Sequence, residues 1–190
     1  MDLVDRAKKI MINPQAEWRV IDDETIDTPT LYKRYIMPLA AIGPVAWLLG
    51  MSVVGFGGWR TPVLGGIATA IVNYALVLAS IFVIARIIDA LAPGFGATPN
   101  PMQSMKLVAY AATSAWLGGI FGLIPELSVI GVLFSLYSLY LLYLGIPVLM
   151  KTPPDRALAY TGVIIVAVVA VSLVMGFVIG AFTARPPGMM

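Results

Sequence analysis

The 190-residue sequence contains no cysteine and no histidine. Disulfides, thiolate nucleophiles and cysteine-ligated metals are therefore excluded, and the commonest general base and transition-metal ligand is missing. Of the ten carboxylates, seven lie in the first 27 residues, and no nucleophile–base or metal-binding constellation is present. We predict that the protein is not an enzyme and that it holds no cofactor and no metal.

Charge is also scarce, at 12% of residues, whereas hydrophobic residues make up 59% and the mean hydropathy is +0.91. Soluble domains carry roughly 45–50% apolar and about 25% charged residues. An excess of this size requires apolar surroundings, which predicts an integral membrane protein whose main partner is the lipid bilayer. The formal net charge of +2 offers no basic field for nucleic acid.

Apolar runs of membrane-crossing length follow a polar N-terminal segment, since a bilayer core takes roughly 20 helical residues. They cover residues 36–56, 62–91, 107–124, 127–150 and 158–182. The fold class predicted is all-α: a cytoplasmic N-terminal segment (1–35) and a bundle of five transmembrane helices (36–190). Only Pro125 and Glu126 join the third and fourth runs, which predicts a tight hairpin; a re-entrant pair is the alternative.

Lysine and arginine set the predicted orientation, because positive residues accumulate on the cytoplasmic side of short loops. With five spans, the N-terminal segment, the second-to-third loop and the fourth-to-fifth loop share one side. That side holds ten of the twelve Lys and Arg residues. We therefore predict a cytoplasmic N-terminus and an exoplasmic C-terminus, in the cell inner membrane if the source is bacterial.

The N-terminal segment contains a candidate interfacial helix over residues 3–12. Its apolar face comprises Leu3, Ala7, Ile10 and Met11. Its basic residues, Arg6, Lys8 and Lys9, are predicted to lie near lipid headgroups.

An ordered set of segments resembles a known family. They are "NPQAEW" (13–18), "YIMPLAAIG" (35–43), "APGFG" (92–96), "KLVAYAATSAWLGGIFGLIP" (106–125) and "LYSLYLLYLGIPVLMKTPPDRALAY" (136–160). Together they resemble the YIP family, the Ypt/Rab-interacting membrane proteins, in its prokaryotic branch. The resemblance implies a cytosolic segment before five transmembrane helices. It also implies a non-enzymatic role in organising membrane or binding a partner, and in eukaryotic members a role in vesicle trafficking.

Arg86 and Asp89 are two charges near the end of the second apolar run, and their spacing allows a pair on one helix face. Arg86 comes about 24 residues after Pro62, or roughly 36 Å along a helix, and the hydrocarbon core is about 30 Å thick. This length favours an interfacial anchor at the cytoplasmic surface. An ion pair inside the bundle is the alternative.

A partner or lipid site is predicted at the cytoplasmic ends of the spans. Pro93 and Phe95 belong to a Gly- and Pro-rich loop, and three tyrosines recur every three residues on the fourth run. Those hydroxyl groups need internal partners in lipid, so they are expected to face the bundle. The residues predicted for this site are Arg86, Asp89, Pro93, Phe95, Lys106, Tyr110, Tyr137, Tyr140, Tyr143, Lys151 and Arg156.

Two further hypotheses concern transport and assembly. A small transporter or channel would use Arg86, Asp89, Asn73 and the fourth-helix tyrosines as a polar path. A cytoplasmic protein partner would instead use the cytoplasmic face, which comprises residues 1–35, the 92–106 loop and "KTPPDRA" (151–157). The spacing of Gly176 and Gly180 permits close helix approach, which allows a homodimer through the fifth span or packing within one chain.

Overall fold

The computed structural model describes residues 2–55, 57 and 59–183, and every regular element in this part of the chain is helical. The helices are α1 (Leu3–Ile12), α2 (Pro14–Asp23), α3 (Thr28–Val54), α4 (Val63–Leu91), α5 (Pro101–Ala111), α6 (Thr113–Gly118), α7 (Ser128–Leu149) and α8 (Pro154–Thr183). Short 3₁₀ turns occupy Ala92–Phe95, Gly119–Leu123 and Pro125–Leu127. The predicted all-helical class is confirmed.

Within the described ranges, four helical segments are long and apolar enough to cross a membrane: Thr28–Val54, Val63–Phe95, Pro125–Leu149 and Pro154–Thr183. The predicted third span is not one long helix. It consists of α5, α6 and the 3₁₀ turn that follows them. The first span begins earlier than the sequence predicted, because the helix continues through Lys33 and Arg34 before reaching the apolar run.

Glycine contacts explain why the third segment is irregular. A Cβ on Gly119 would lie 2.8 Å from the Gly43 Cα, and a Cβ on Gly50 would lie 2.1 Å from the Gly122 carbonyl oxygen. The backbone of this segment therefore touches the backbone of α3 directly, which only glycine permits. The same glycines have low helix propensity, so close packing and helical regularity compete here.

The third segment runs beside α3 in the same direction. The Tyr35 and Thr113 hydroxyls are hydrogen bonded at 2.7 Å near one end, and Gly50 meets Gly122 near the other. Helix α7 then returns antiparallel against α6. There the Ser114 hydroxyl donates to the Phe134 carbonyl at 2.8 Å. The third and fourth apolar runs thus form a hairpin.

Helices α1 and α2, here called the N-terminal helix pair, pack against one end of the bundle. Asp2 caps α1 by accepting from the Val4 amide at 2.9 Å, and Pro14 occupies the first turn of α2. Ile10 and Ile21 are completely buried between the pair and the bundle. The pair is therefore part of the folded core.

Helix α8 is fully buried only in its first third, and Val168 and Val171 add partly buried contacts with the core further along. Its buried residues are Ala157, Tyr160, Thr161 and Ile164. Further along, a Cβ on Gly176 or on Gly180 would meet no atom within 4 Å. These two glycines therefore do not serve packing against the described part of the chain, and the rest of α8 is left to lipid or to a partner.

Candidate functional site

A buried charge cluster holds the N-terminal helix pair together. Arg6 forms ion pairs with Glu17 and with Glu24, the second at 2.7 Å. Its guanidinium carbon also lies 5.7 Å from the centre of the Tyr110 ring, which is a cation–π geometry. The sequence prediction that Arg6 faces lipid headgroups is therefore wrong, because Arg6 lies on the inner face of α1.

Lys9 lies on the same helix as Arg6, but its surroundings differ. It is exposed and pairs with Asp5 at 2.7 Å, four residues earlier. The hydrogen bond and the negative charge of Asp5 raise the pKa of Lys9. An exposed pair of this kind contributes little to stability.

Lys106 joins the pair to the bundle. Only 2% of its surface is exposed, and its ammonium donates to the carbonyls of Ile21 at 2.8 Å and of Glu24 at 2.6 Å. These carbonyls lie at the C-terminal end of α2, where the helix dipole favours a cation. Burial lowers the pKa of Lys106, against the opposing effect of the Glu24 and Asp22 carboxylates. Lys106 is therefore a positioning residue that no partner can reach.

The loops that follow α4 and α7 lie at the same end as α2. Asp22 connects α2 to the first turn of α5 and to the loop that follows α7. Its carboxylate forms an ion pair with Lys151 and accepts from the Gln103 amide at 3.0 Å. The two loops also meet directly, since the Thr98 amide donates to the Met150 carbonyl at 2.8 Å. The N-terminal segment and the two loops predicted to share a side thus form one continuous structure.

Trp18 is the central apolar contact of the N-terminal helix pair. It is completely buried, its ring meets Tyr110 edge-on at 6.5 Å, and Tyr110 in turn packs on Tyr35 at 4.6 Å. A Cβ on Gly145 of α7 would lie 2.8 Å from the Trp18 ring and 2.5 Å from the Leu107 side chain. Gly145 therefore makes the space that Trp18 fills.

We expect Gly145→Ala to loosen the N-terminal helix pair, because the added methyl overlaps both Trp18 and Leu107. Overpacking of a core usually costs about 1–3 kcal/mol. Thermal unfolding of the purified protein in detergent measures the change. Gly176→Ala is the matched control, since a Cβ there meets no atom within 4 Å; equal melting temperatures for both variants would contradict the contact.

Among the other predicted site residues, Arg86 is exposed and Asp89 is half-buried, and no ion pair joins them in the described structure. One oxygen of Asp89 is buried without a hydrogen bond. The predicted pairing of these two residues is therefore not formed. Phe95 stacks on Tyr160 at 4.7 Å, while Pro93 is exposed.

The tyrosines of the fourth span divide between two environments. The Tyr137 hydroxyl donates to the Met11 carbonyl of α1 at 2.8 Å. Tyr140 and Tyr143 are 46% and 41% exposed. A spacing of three residues drifts around a helix of 3.6 residues per turn, so the stripe does not line one cavity. Arg156 is exposed, 3.9 Å from Asp155.

Sequence reasoning missed the residues that make this end of the molecule, which are Arg6, Glu17, Trp18, Glu24 and Tyr35. A signal for Trp18 was present in the "NPQAEW" stretch. Within the described ranges, no group of three or more His, Cys, Asp or Glu residues could hold a metal. This arrangement holds the N-terminal helix pair on the bundle and leaves exposed side chains around it that can make contacts.

These features define an all-helical, polytopic integral membrane protein with a helix pair docked on one end of its bundle. The Yip1 domain model matches residues 8–176, so the chain belongs to the Yip1 family, as the resemblance predicted. It is similar to the inner membrane protein YohC of Escherichia coli strain K12, with 25% identity over 161 residues, 78% of this chain and 80% of that protein. YohC of Escherichia coli O6:H1 strain CFT073 matches with the same identity and the same coverage. No solved structure matches the chain.

Proposed function

We propose that this protein is a non-enzymatic inner-membrane protein that organises membrane by binding a lipid or protein partner at its cytoplasmic face. The observation that carries the proposal is the joining of α2 to α5 through Lys106 and Asp22 and to the loop after α7 through Asp22. Three segments that are distant in sequence thereby form a single structured face at the end that holds most of the positive residues. The membership of the Yip1 family supports this role.

The exposed residues of that face are the proposed contacts. From the predicted set they are Arg86, Pro93, Tyr140, Tyr143, Lys151 and Arg156. Six exposed cations form no ion pair within the described residues: Arg60 at the opposite end, and Lys8, Arg19, Lys33, Arg34 and Arg86. Basic residues next to a membrane surface attract anionic lipid, and each contributes about 1 kcal/mol. The face therefore suits an anionic surface.

Site-directed photocrosslinking in native membranes tests the proposal. Because the sequence has no cysteine, a benzophenone can be attached at Cys introduced for Arg19, Thr98 or Arg60. Defined protein or lipid adducts are expected from the first two positions. Arg60, at the opposite end, is the control. Identical adduct patterns at all three positions would remove the argument for a dedicated face.

We further propose five membrane passes, with residues 107–124 as the third. The helical part of this pass, residues 107–118, rises about 18 Å, and the 3₁₀ turn that follows adds about 10 Å. Together they come close to a hydrocarbon core of about 30 Å. The contacts of this segment with α3, from Tyr35 to Gly50, run along most of that helix.

Single-cysteine labelling is expected to place Asp23 and Asp155 on the cytoplasmic side, and Arg60 and Glu126 on the exoplasmic side. An impermeant maleimide applied to intact cells or right-side-out vesicles reads the side directly. In the re-entrant alternative, the third and fourth runs enter the membrane and return to the same side, so Glu126→Cys would instead be protected with the cytoplasmic set. That result would leave the chain with three passes.

The transporter alternative requires a continuous polar path. A cavity of about 400 Å³ lies between α4, α5, α7 and α8. Its lining is aliphatic apart from three serines, Ser135, Ser138 and Ser172, and it includes neither Arg86 nor Asp89. Two of those hydroxyls donate to backbone carbonyls of their own helix. Flux of ions or small solutes through reconstituted liposomes, abolished by Asp89→Asn, would support the alternative.

A further inference from the structure

A cleft of about 370 Å³ lies where α1 crosses α3 and α6. Its lining residues are Leu3, Val4, Ala7, Lys8, Met11, Ile12, Leu39 and Leu117. Lys8 is the one charged residue among them. An apolar space with a single cation at its edge is complementary to an amphiphile that has an anionic head.

The faces of α1 show how the cleft is oriented. Arg6 and Ile10 point into the core, and the exposed Asp5 and Lys9 pair with each other. A further face carries Val4, Lys8 and Ile12, spaced four residues apart so that they align along the helix. Val4 is 70% exposed and Ile12 is 72% exposed. This stripe places a cation between two apolar side chains beside the cleft.

The depth of the cleft agrees with a position at the lipid headgroup boundary. Leu39 lies 15 residues before the end of α3 at Val54, which corresponds to about 22 Å along the helix. In a core of about 30 Å, α1 therefore lies about 8 Å below the near boundary. Interfacial amphipathic helices insert about 5–10 Å.

We propose that this cleft binds one anionic phospholipid, with an acyl chain along Leu39 and Leu117 and the phosphate on Lys8. Lys8 is free for this role because, unlike Lys9, it makes no ion pair in the described structure. Val4 and Ile12 would then contact neighbouring lipid chains. In this position α1 would act as a wedge in one leaflet. The inference rests on the proposed function, in which this face binds lipid.

The test uses the full protein in bilayers with spin-labelled phosphatidylglycerol or phosphatidylcholine, and it measures the motionally restricted lipid. Wild type is expected to prefer phosphatidylglycerol, and Lys8→Gln to lower that preference about fivefold, as expected for one cation at the surface. Lys9→Gln is the matched control and should keep the preference. Leu3→Trp, which fills the cleft, should lower the restricted fraction of both lipids.

Equal preference in wild type and Lys8→Gln, or an equal loss with Lys9→Gln, overturns the site. An unchanged restricted fraction in Leu3→Trp overturns the acyl-chain position. Tryptic cleavage at Arg19 serves as the folding check for each variant. The crosslinking at Arg19 and Thr98 is a separate measurement, so failure of the lipid site and failure of the proposed function are distinguishable.

Discussion

Replacement of Arg6 by leucine is expected to release the N-terminal helix pair from the bundle, at a cost of about 3–5 kcal/mol. The substitution leaves the Glu17 and Glu24 carboxylates without their cation, and Glu17 is buried. A buried charge that has lost its partner is far more costly than the pair itself is stabilising. The cation–π contact with Tyr110 is lost as well.

Tryptic cleavage at Arg19 in reconstituted vesicles measures the release, because proteolysis follows the population of the opened state. We expect the cleavage rate to rise at least a hundredfold in Arg6→Leu, which corresponds to about 2.7 kcal/mol or more. Adding Glu17→Gln and Glu24→Gln should recover much of the loss by removing the unpaired charges. Lys9→Gln, which breaks the exposed pair, should change the rate less than about threefold. A similar rate in Arg6→Leu and Lys9→Gln would show that the cluster does not hold the pair.

Replacement of Trp18 by alanine is expected to cost about 3–5 kcal/mol, the range for removing a large aromatic from a core. Trp18 fills the space above Gly145 together with Leu107, and its ring meets Tyr110 edge-on. Trp18 belongs to α2, so the loss of packing falls on the N-terminal helix pair.

Hydrogen exchange of the α2 amides, measured by mass spectrometry, is the direct test of the Trp18 contact. Exchange should accelerate in α2, while amides in the first part of α8, where the Tyr160 hydroxyl donates to the Ile88 carbonyl of α4, remain protected. Trp59→Ala is the matched control, since Trp59 is 81% exposed. Unchanged protection of α2 in Trp18→Ala would contradict a central role for this residue.

The sequence was informative about fold class because hydropathy is a local property of each segment. The apolar runs and the absence of cysteine and histidine indicated a helical membrane protein, and the ordered segments indicated the family. The helix boundaries were harder to predict, since the third apolar run contains Gly119 and Gly122. These two glycines favour backbone contact with α3 over a continuous helix.

The candidate site was only partly predictable. Lys106 and Tyr110 were selected as contacts for a partner, yet both are buried. Lys151 is exposed, although it also pairs with Asp22. Arg86 and Asp89 were selected for their spacing, but they do not pair. A spacing of three residues permits a contact, while the side-chain direction depends on the helices packed around it.

By itself, the sequence determined that the chain lies in a membrane as helices, because burial of this many apolar groups has few other solutions. Only the tertiary structure decided that the polar N-terminal segment is a core element. That decision depends on Arg6, Trp18 and Lys106 meeting groups up to 127 positions away, such as Gly145. Contacts across such separations follow from packing, which local composition does not encode.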